Sequence, residues 1–328
     1  MSRLKRRRAD PRGPCRSASL FRNGQHNPDL LAPCYNVADA RREDRETRIA
    51  FTSDLHVDAG PFGWQAARLM PEAVEKLEPD VFIMAGDISS DLSDVEDVLS
   101  RFDSLSCHRL FVPGNHDIWV APMPGESSRT KYERDLPEAC RRSGFHFLPG
   151  RPIVIRGVGF AGSIGWYDYS LRDTSLDSQI SIDTYRRKRF RGRMWMDARF
   201  ARWGATDEQV TEEVVAQLAR DLDELKSAGV PIVAVVHHVP FEELVARTGK
   251  LEFDFFGAYM GSRAFGDVLR ERPGVKLAIC GHTHFEQDVE IDGIRALASP
   301  LGYENERPEG VESAVRKSVR LVELGPFS

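Results

Sequence analysis

Five short polar clusters in this chain carry residue types suited to chemistry, and each follows an apolar run. Asp54 and His56 come after Ile49-Ala50-Phe51, and Gly86-Asp87 after Val81-Phe82-Ile83-Met84-Ala85. Gly114-Asn115-His116-Asp117 follows Leu110-Phe111-Val112. His237-His238 follows Ile232 to Val236, and Gly281-His282-Thr283-His284 follows Leu277 to Cys280. In extended chain, residues two apart share a face, so Asp54/His56 and His282/His284 each form a two-pronged donor pair. Carboxylates, imidazoles and the Asn115 amide oxygen are borderline-to-hard donors. They suit manganese, iron or zinc rather than a soft thiolate site. So many imidazoles argue against magnesium as the sole ion. The donors exceed the needs of one tetrahedral ion and fit two ions sharing a carboxylate. Such a pair can clamp a phosphoryl oxygen and activate a water. An alkoxide leaving group then needs a proton, which His116 can supply. Asp117 is expected to hold the His116 ring in one tautomer.

The elements that must position these clusters can be read from the apolar pattern. Arg48 to Ser53, Val81 to Ala85 and Arg109 to Val112 read as strands. Between them, Trp64 to Leu77 has an apolar side at helical spacing, and a second helix capped by Ser93 reaches Phe102. This alternation is the βαβ pattern of a largely parallel sheet. Ligands bind such sheets at the carboxyl ends of the strands, which is where the clusters fall. Further on, a helix is expected from Lys131 to Ser143. Pro152 to Ile155 and Val158 to Ser163 flank Arg156-Gly157 as a hairpin. Thr206 caps a helix running to Ser227. Ile232 to Val236 and Lys276 to Cys280 are buried strands, with a helix around Ala264 to Arg270 between them. Asp292-Gly293 turns a second hairpin, and Val319 to Leu324 is a last strand.

With 328 residues, 41% hydrophobic and 29% charged, the chain can bury a sizeable core. A formal net charge of −5 gives no global case for nucleic-acid or membrane binding. No apolar run is long enough to span a membrane, and the first residues lack the apolar stretch of a secretory signal. The five cysteines are scattered without CxxC spacing and read as free thiols of a cytoplasmic protein. Residues 1–46 carry the basic run Lys5-Arg6-Arg7-Arg8 and several Pro and Gly without apolar periodicity. They are expected to form a disordered basic tail ahead of one domain over 47–328.

Taken together and in order, Asp54-x-His56, Gly86-Asp87, Gly114-Asn115-His116-Asp117, His-His-x-Pro and Gly-His-Thr-His resemble the calcineurin-like metallophosphoesterase superfamily over roughly residues 48 to 300. The resemblance implies a four-layer α/β/β/α sandwich with helices flanking mixed sheets. It implies hydrolysis of phosphate mono- or diesters at a dinuclear centre. Asp54, His56 and His284 would hold one ion, and Asn115, His282 and one of the 237–238 pair the other, with Asp87 bridging. Alignment of the strand favours His237, with His238 as competitor. His116 would protonate the leaving oxygen, oriented by Asp117. Glycines 86, 114 and 281 would let the backbone turn sharply beside the ions. The expected cofactors are two ions of manganese, iron or zinc, and the expected partner is a phosphoester. Alternatives are a catalytically idle metal-binding scaffold, or a nuclease aided by the basic tail. The motifs name neither a substrate nor an oligomeric state.

The stretch 166–204 is rich in aromatics and cations and admits two readings. It is a lid-like insert whose Arg186, Arg187, Lys188, Arg189, Trp195 and Trp203 reach a substrate, or it packs its aromatics on the sheet. His108 and His146 lie outside the strand-end clusters and are not expected to ligate. Cys280 reads as a small buried hydrophobe and Asp58 as a turn residue.

Overall fold

The computed structural model describes residues 45–325. The tail expected over 1–46 falls almost wholly outside them. In chain order the strands are β1 (Thr47–Thr52), β2 (Val81–Met84), β3 (His108–Phe111), β4 (His146–Phe147), β5 (Ile153–Ile155) and β6 (Val158–Ser163). A small hairpin of β7 (Arg189–Phe190) and β8 (Arg193–Met194) follows. Then come β9 (Ile232–Val236), β10 (Val275–Cys280), β11 (Gln287–Ile291), β12 (Ile294–Ala298) and β13 (Arg320–Leu324). One sheet has the order β13-β1-β2-β3-β4, the other β11-β12-β10-β9-β6-β5. In each, the strands that carry the polar clusters run parallel to their neighbours, and antiparallel strands lie at the edges.

Period-two alternation explains how the two sheets pack. Ile49, Phe51, Val81, Ile83 and Leu110 of the first sheet share one apolar cluster with Phe160, Val233, Val235, Leu277 and Ile279 of the second. The residues between them, such as Ala50, Phe82, Met84, Phe111, Ala234 and Ala278, belong to a second cluster that contains the apolar faces of the helices. A strand buried on both faces gives the unbroken apolar runs seen in the sequence. The result is helices, sheet, sheet, helices: the four-layer sandwich that the resemblance implied. The helix Asp207–Ser227 lies on β6, and Pro61–Glu75 lies against Val311–Ser318.

Local chemistry accounts for most element ends. All three hairpins turn on two residues with positive φ, Arg156-Gly157 (50° and 76°), Arg191-Gly192 (47° and 81°) and Asp292-Gly293 (52° and 79°). That pairing suits the right-handed twist of the flanking strands. Thr206 and Gln209 form a reciprocal capping box at the start of Asp207–Ser227. Three expectations shift. The first helix starts at Pro61, whose φ is preset for a first turn. Asp91, not Ser93, caps Leu92–Ser100, because its carboxylate accepts the Ser93 N–H at 2.8 Å. The helix expected from Lys131 contains a π turn over Lys131–Asp135 before Leu136–Arg142. Pro137 has no N–H to give to the preceding turn, so the regular ladder breaks there.

Candidate metal centre

The two sheets present the carboxyl ends of β1, β2, β3, β9 and β10 at one edge, and the five polar clusters meet there. The backbone at this edge is unusual. Asp54, His56, Asp87, His282 and His284 all have φ between 42° and 69°. Non-glycine residues seldom adopt this region, at a cost of about 1–3 kcal/mol each. Neighbouring chain holds them in place: the Asp54 N–H donates to the Gly86 carbonyl at 2.9 Å and the His56 N–H to the Asp87 carbonyl at 3.0 Å. Nothing in residue type announced this strain.

Asp87 sits between two groups of donors. Its Oδ2 lies 3.3 Å from His237 Nε2 and 3.8 Å from His56 Nε2, while Oδ1 accepts the His116 backbone N–H at 2.8 Å. On one side, Asp54 Oδ1 lies 3.5 Å from His284 Nε2 and 3.9 Å from His56 Nε2. On the other, Asp87, His237 and His282 bring one ligand atom each within 4.8 Å of one another. The paired histidines face different ways. His237 faces Asp87, whereas His238 gives Nδ1 to the Ile164 carbonyl at 3.0 Å and packs its ring on His282.

The donors fit cations. Asn115 Oδ1 and His237 Nε2 are buried without a hydrogen-bond partner, a costly state unless something binds them. His56 and His284 point Nε2 at each other across 2.9 Å. Asp54 and Asp87 are buried carboxylates, and buried charges need counter-charges. Burial opposes ionisation of Asp87, but the imidazoles of His237 and His116 outweigh it and hold the carboxyl well below its usual range. Likewise burial opposes protonation of His237, yet Asp87 raises it to about 9.

Several donors are held by neighbouring groups. His237 Nδ1 pairs with the Ala85 carbonyl at 2.7 Å, and His282 Nε2 with the Tyr259 carbonyl at 3.2 Å. His284 Nδ1 pairs with Glu306 Oε2 at 2.9 Å, and Tyr303 stacks over His56. Asn115 donates Nδ2 to Asp197 Oδ1 at 3.0 Å, which leaves its amide oxygen facing the centre. Asp197 also accepts from Trp119 Nε1, Tyr167 Oη and Trp195 Nε1, at 2.6, 2.9 and 2.7 Å. Glu306, Tyr303 and Asp197 escaped the sequence reading.

Two expectations need correction. Asp117 does not orient His116. Its buried carboxylate accepts the backbone N–H groups of Asp87, Ile88, Ser89 and Gly114, at 2.7 to 3.2 Å, and so clamps the two ligand-bearing turns together. Burial and the nearby Asp87 carboxylate push its pKa up to about 6. The His116 ring instead stacks on Trp119 at 3.7 Å and meets the edge of His56. Gly86 does turn with a positive φ of 93°, whereas Gly114 and Gly281 matter for room. A Cβ on Gly114 would stand 2.2 Å from Asp87 Oδ1, and one on Gly281 2.6 Å from Asp54 Oδ2, though neither has a positive φ.

The residues set aside stay apart from this centre. His108 is exposed on β3, and His146 pairs with the Arg151 carbonyl. Cys280 is buried, its thiol pushed up to about 12 by burial. Asp58 accepts from Ser90 N and Oγ, linking two loops rather than only turning one. In the 166–204 stretch, Arg186 pairs with Asp183 and Glu208, and Lys188 with Asp207, away from the centre. Trp203 packs its edge on Trp166, and only Trp195 of the six named residues borders the metal cavity.

A TM-score of 0.68 relates the chain to the crystal structure of a phosphopantetheinyl hydrolase from Mycobacterium tuberculosis, at 21% identity over 85% of this chain and 96% of that one. A dimetal phosphatase from Danio rerio matches at a TM-score of 0.48 and 13% identity, over 78% and 87% of the two chains. No curated protein matches by sequence. The sequence profile of the calcineurin-like phosphoesterases matches residues 47–286, and the chain belongs to that family of metal-dependent phosphoesterases.

Proposed function

We propose that the protein hydrolyses phosphate esters with two metal ions, one held by Asp54, His56 and His284, the other by Asn115, His237 and His282, with Asp87 shared. The observation that carries this reading is the position of the Asp87 carboxylate within reach of both donor groups. Ions bound there would supply Lewis-acid charge to the phosphoryl oxygens and a water of lowered pKa. The chain's own residues supply the rest. Water oxygen bonds to phosphorus, the bond to the ester oxygen breaks, and that oxygen needs a proton. His116 borders the cavity, half-exposed, and its stacking on Trp119 fixes where the ring can deliver one. Manganese, iron and zinc all suit the donor set.

The test is metal analysis of the purified protein combined with hydrolysis of p-nitrophenyl phosphate and its bis ester. About two ions per chain and turnover that falls at least 100-fold in His116→Ala are expected. Turnover unchanged in that variant removes the donor role. Bound metal with no turnover on any ester would instead favour the idle scaffold.

A further inference from the structure

A cavity of about 470 Å³ opens directly onto the metal donors, and its far wall is apolar. Asp87, Asn115, His116, His282 and His284 form one end. Met194, Trp195 and Met196 come from the hairpin side, Phe253, Phe256 and Met260 from the segment after β9, and Phe285 follows directly on His284. No lysine or arginine is among the described residues that line it. The described residues include six exposed large apolar side chains. Three of them, Met196 (39%), Phe253 (44%) and Phe285 (49%), stand around this one cavity. Scattered exposed apolar residues need no explanation, but a contiguous set beside a reactive centre marks a binding surface.

We propose, on the basis of the function above, that this cavity receives the alcohol portion of the substrate, and that this portion is an uncharged, largely apolar chain or ring. Charge argues the same way as shape. A nucleotide, polyphosphate or nucleic acid brings further phosphates, which proteins usually meet with Lys or Arg. The cavity has none to give. None of the five cations of 186–191 lines the cavity, and three of them form ion pairs: Arg186 with Glu208, Lys188 with Asp207 and Arg191 with Glu252. Methionine and phenylalanine walls adapt to alkyl, thioether or aryl groups and offer them nothing but burial. Hydrolysis would leave phosphate at the metal end and a free alcohol in the apolar end, protonated on the oxygen that left phosphorus.

The experiment compares n-alkyl phosphates from methyl to octyl, and 1-naphthyl phosphate, with glycerol 1-phosphate and uridine monophosphate, all below micellar concentrations. kcat/KM should rise about threefold per added methylene until the cavity is filled. The Phe256→Asp variant should flatten that slope and Phe256→Leu should keep it. A flat series, or a preference for glycerol phosphate or the nucleotide, overturns the inference while leaving the metal hydrolase intact. Titration of 1-octanol into chelator-treated protein, followed by calorimetry, gives an independent reading. Octanol should bind and glycerol should not. Octanol binding with no ester hydrolysed would uphold the cavity and sink the proposed function. Absence of octanol binding counts against the cavity whatever the activity.

Discussion

Asp197 shows how much of this site depends on residues that touch no substrate. Its two oxygens accept four hydrogen bonds inside a buried pocket, one of them from Asn115. An amide has two ends, and pinning Nδ2 is what turns Oδ1 toward the metal side. Asp197→Asn replaces one acceptor oxygen by a donor, so at least one of the four donors loses its partner. Metal affinity at the Asn115 side should fall about 10- to 100-fold. Competition with a metal-binding dye would measure it, and unchanged stoichiometry and affinity would refute the positioning role. Gly114 gives a second prediction at this scale. Its hydrogen leaves the space that Asp87 and His237 occupy, and a methyl there must push one of them aside. Gly114→Ala should cost roughly 100-fold in kcat/KM and about 1–3 kcal/mol of stability. Full activity in that variant would mean the glycine is not a matter of room. Residue types made most of the donors legible in the sequence, because carboxylate and imidazole at strand ends have few structural uses. Asp117 was misread for a related reason. Its neighbour in sequence was taken for its partner, whereas the 3-10 turn at His116–Ile118 sends its carboxylate to four backbone N–H groups.

The stretch 166–204 raises the question at the level of elements. Cations and aromatics in a long insertion suit either a moving lid or a packed wall, and composition alone does not separate the two. In the structure the segment is fastened at one carboxylate, that of Asp207. Asp207, at the start of its helix, accepts Trp166 Nε1 at 2.9 Å and Lys188 Nζ at 2.7 Å, and also pairs with the Tyr169 hydroxyl. Lys188 is itself buried and lies 5.0 Å from the centre of the Tyr167 ring. Removing one partner of a buried ion pair strands the other charge, which costs about 3–5 kcal/mol. Asp207→Ala should therefore lower the urea midpoint far more than Thr206→Ala, which loses only the helix cap at about 1 kcal/mol. Equal effects of the two changes would show that the carboxylate does not fasten the segment. Strands and their turns were readable because two local signals agreed: apolar runs bounded by polar clusters, and Arg-Gly and Asp-Gly turns with the right φ. Sheet order was not, since the parallel βαβ rule says which way strands run and leaves their neighbours open.

At the scale of the molecule, two sheets from distant parts of the sequence share one edge, and the metal donors are the seam. Asp54, Asp87 and Asn115 come from the first sheet, His237, His282 and His284 from the second. The isolated bridge between Ser53 and Pro300 and the Gly281 N–H to His237 carbonyl bond add backbone links at the same edge. Ions bound as proposed would tie both sheets together and neutralise two buried carboxylates, and so would favour the folded chain over the unfolded one. At a hundredfold excess over the dissociation constant the linkage is worth about 2.7 kcal/mol. For a domain of this size that corresponds to a rise of roughly 4–6 °C in Tm. Scanning calorimetry of chelator-treated protein, with and without added manganese, is expected to show that rise. Zinc should act similarly and calcium, which prefers oxygen-rich sites, much less. The same scan on Asp87→Asn separates a bridging carboxylate from a merely nearby one. Losing a shared ligand should remove most of the metal-dependent shift, while His238→Gln, beside the centre but turned to the Ile164 carbonyl, should keep it. A metal-dependent shift that survives Asp87→Asn unchanged would mean that the two donor groups act as separate sites rather than one.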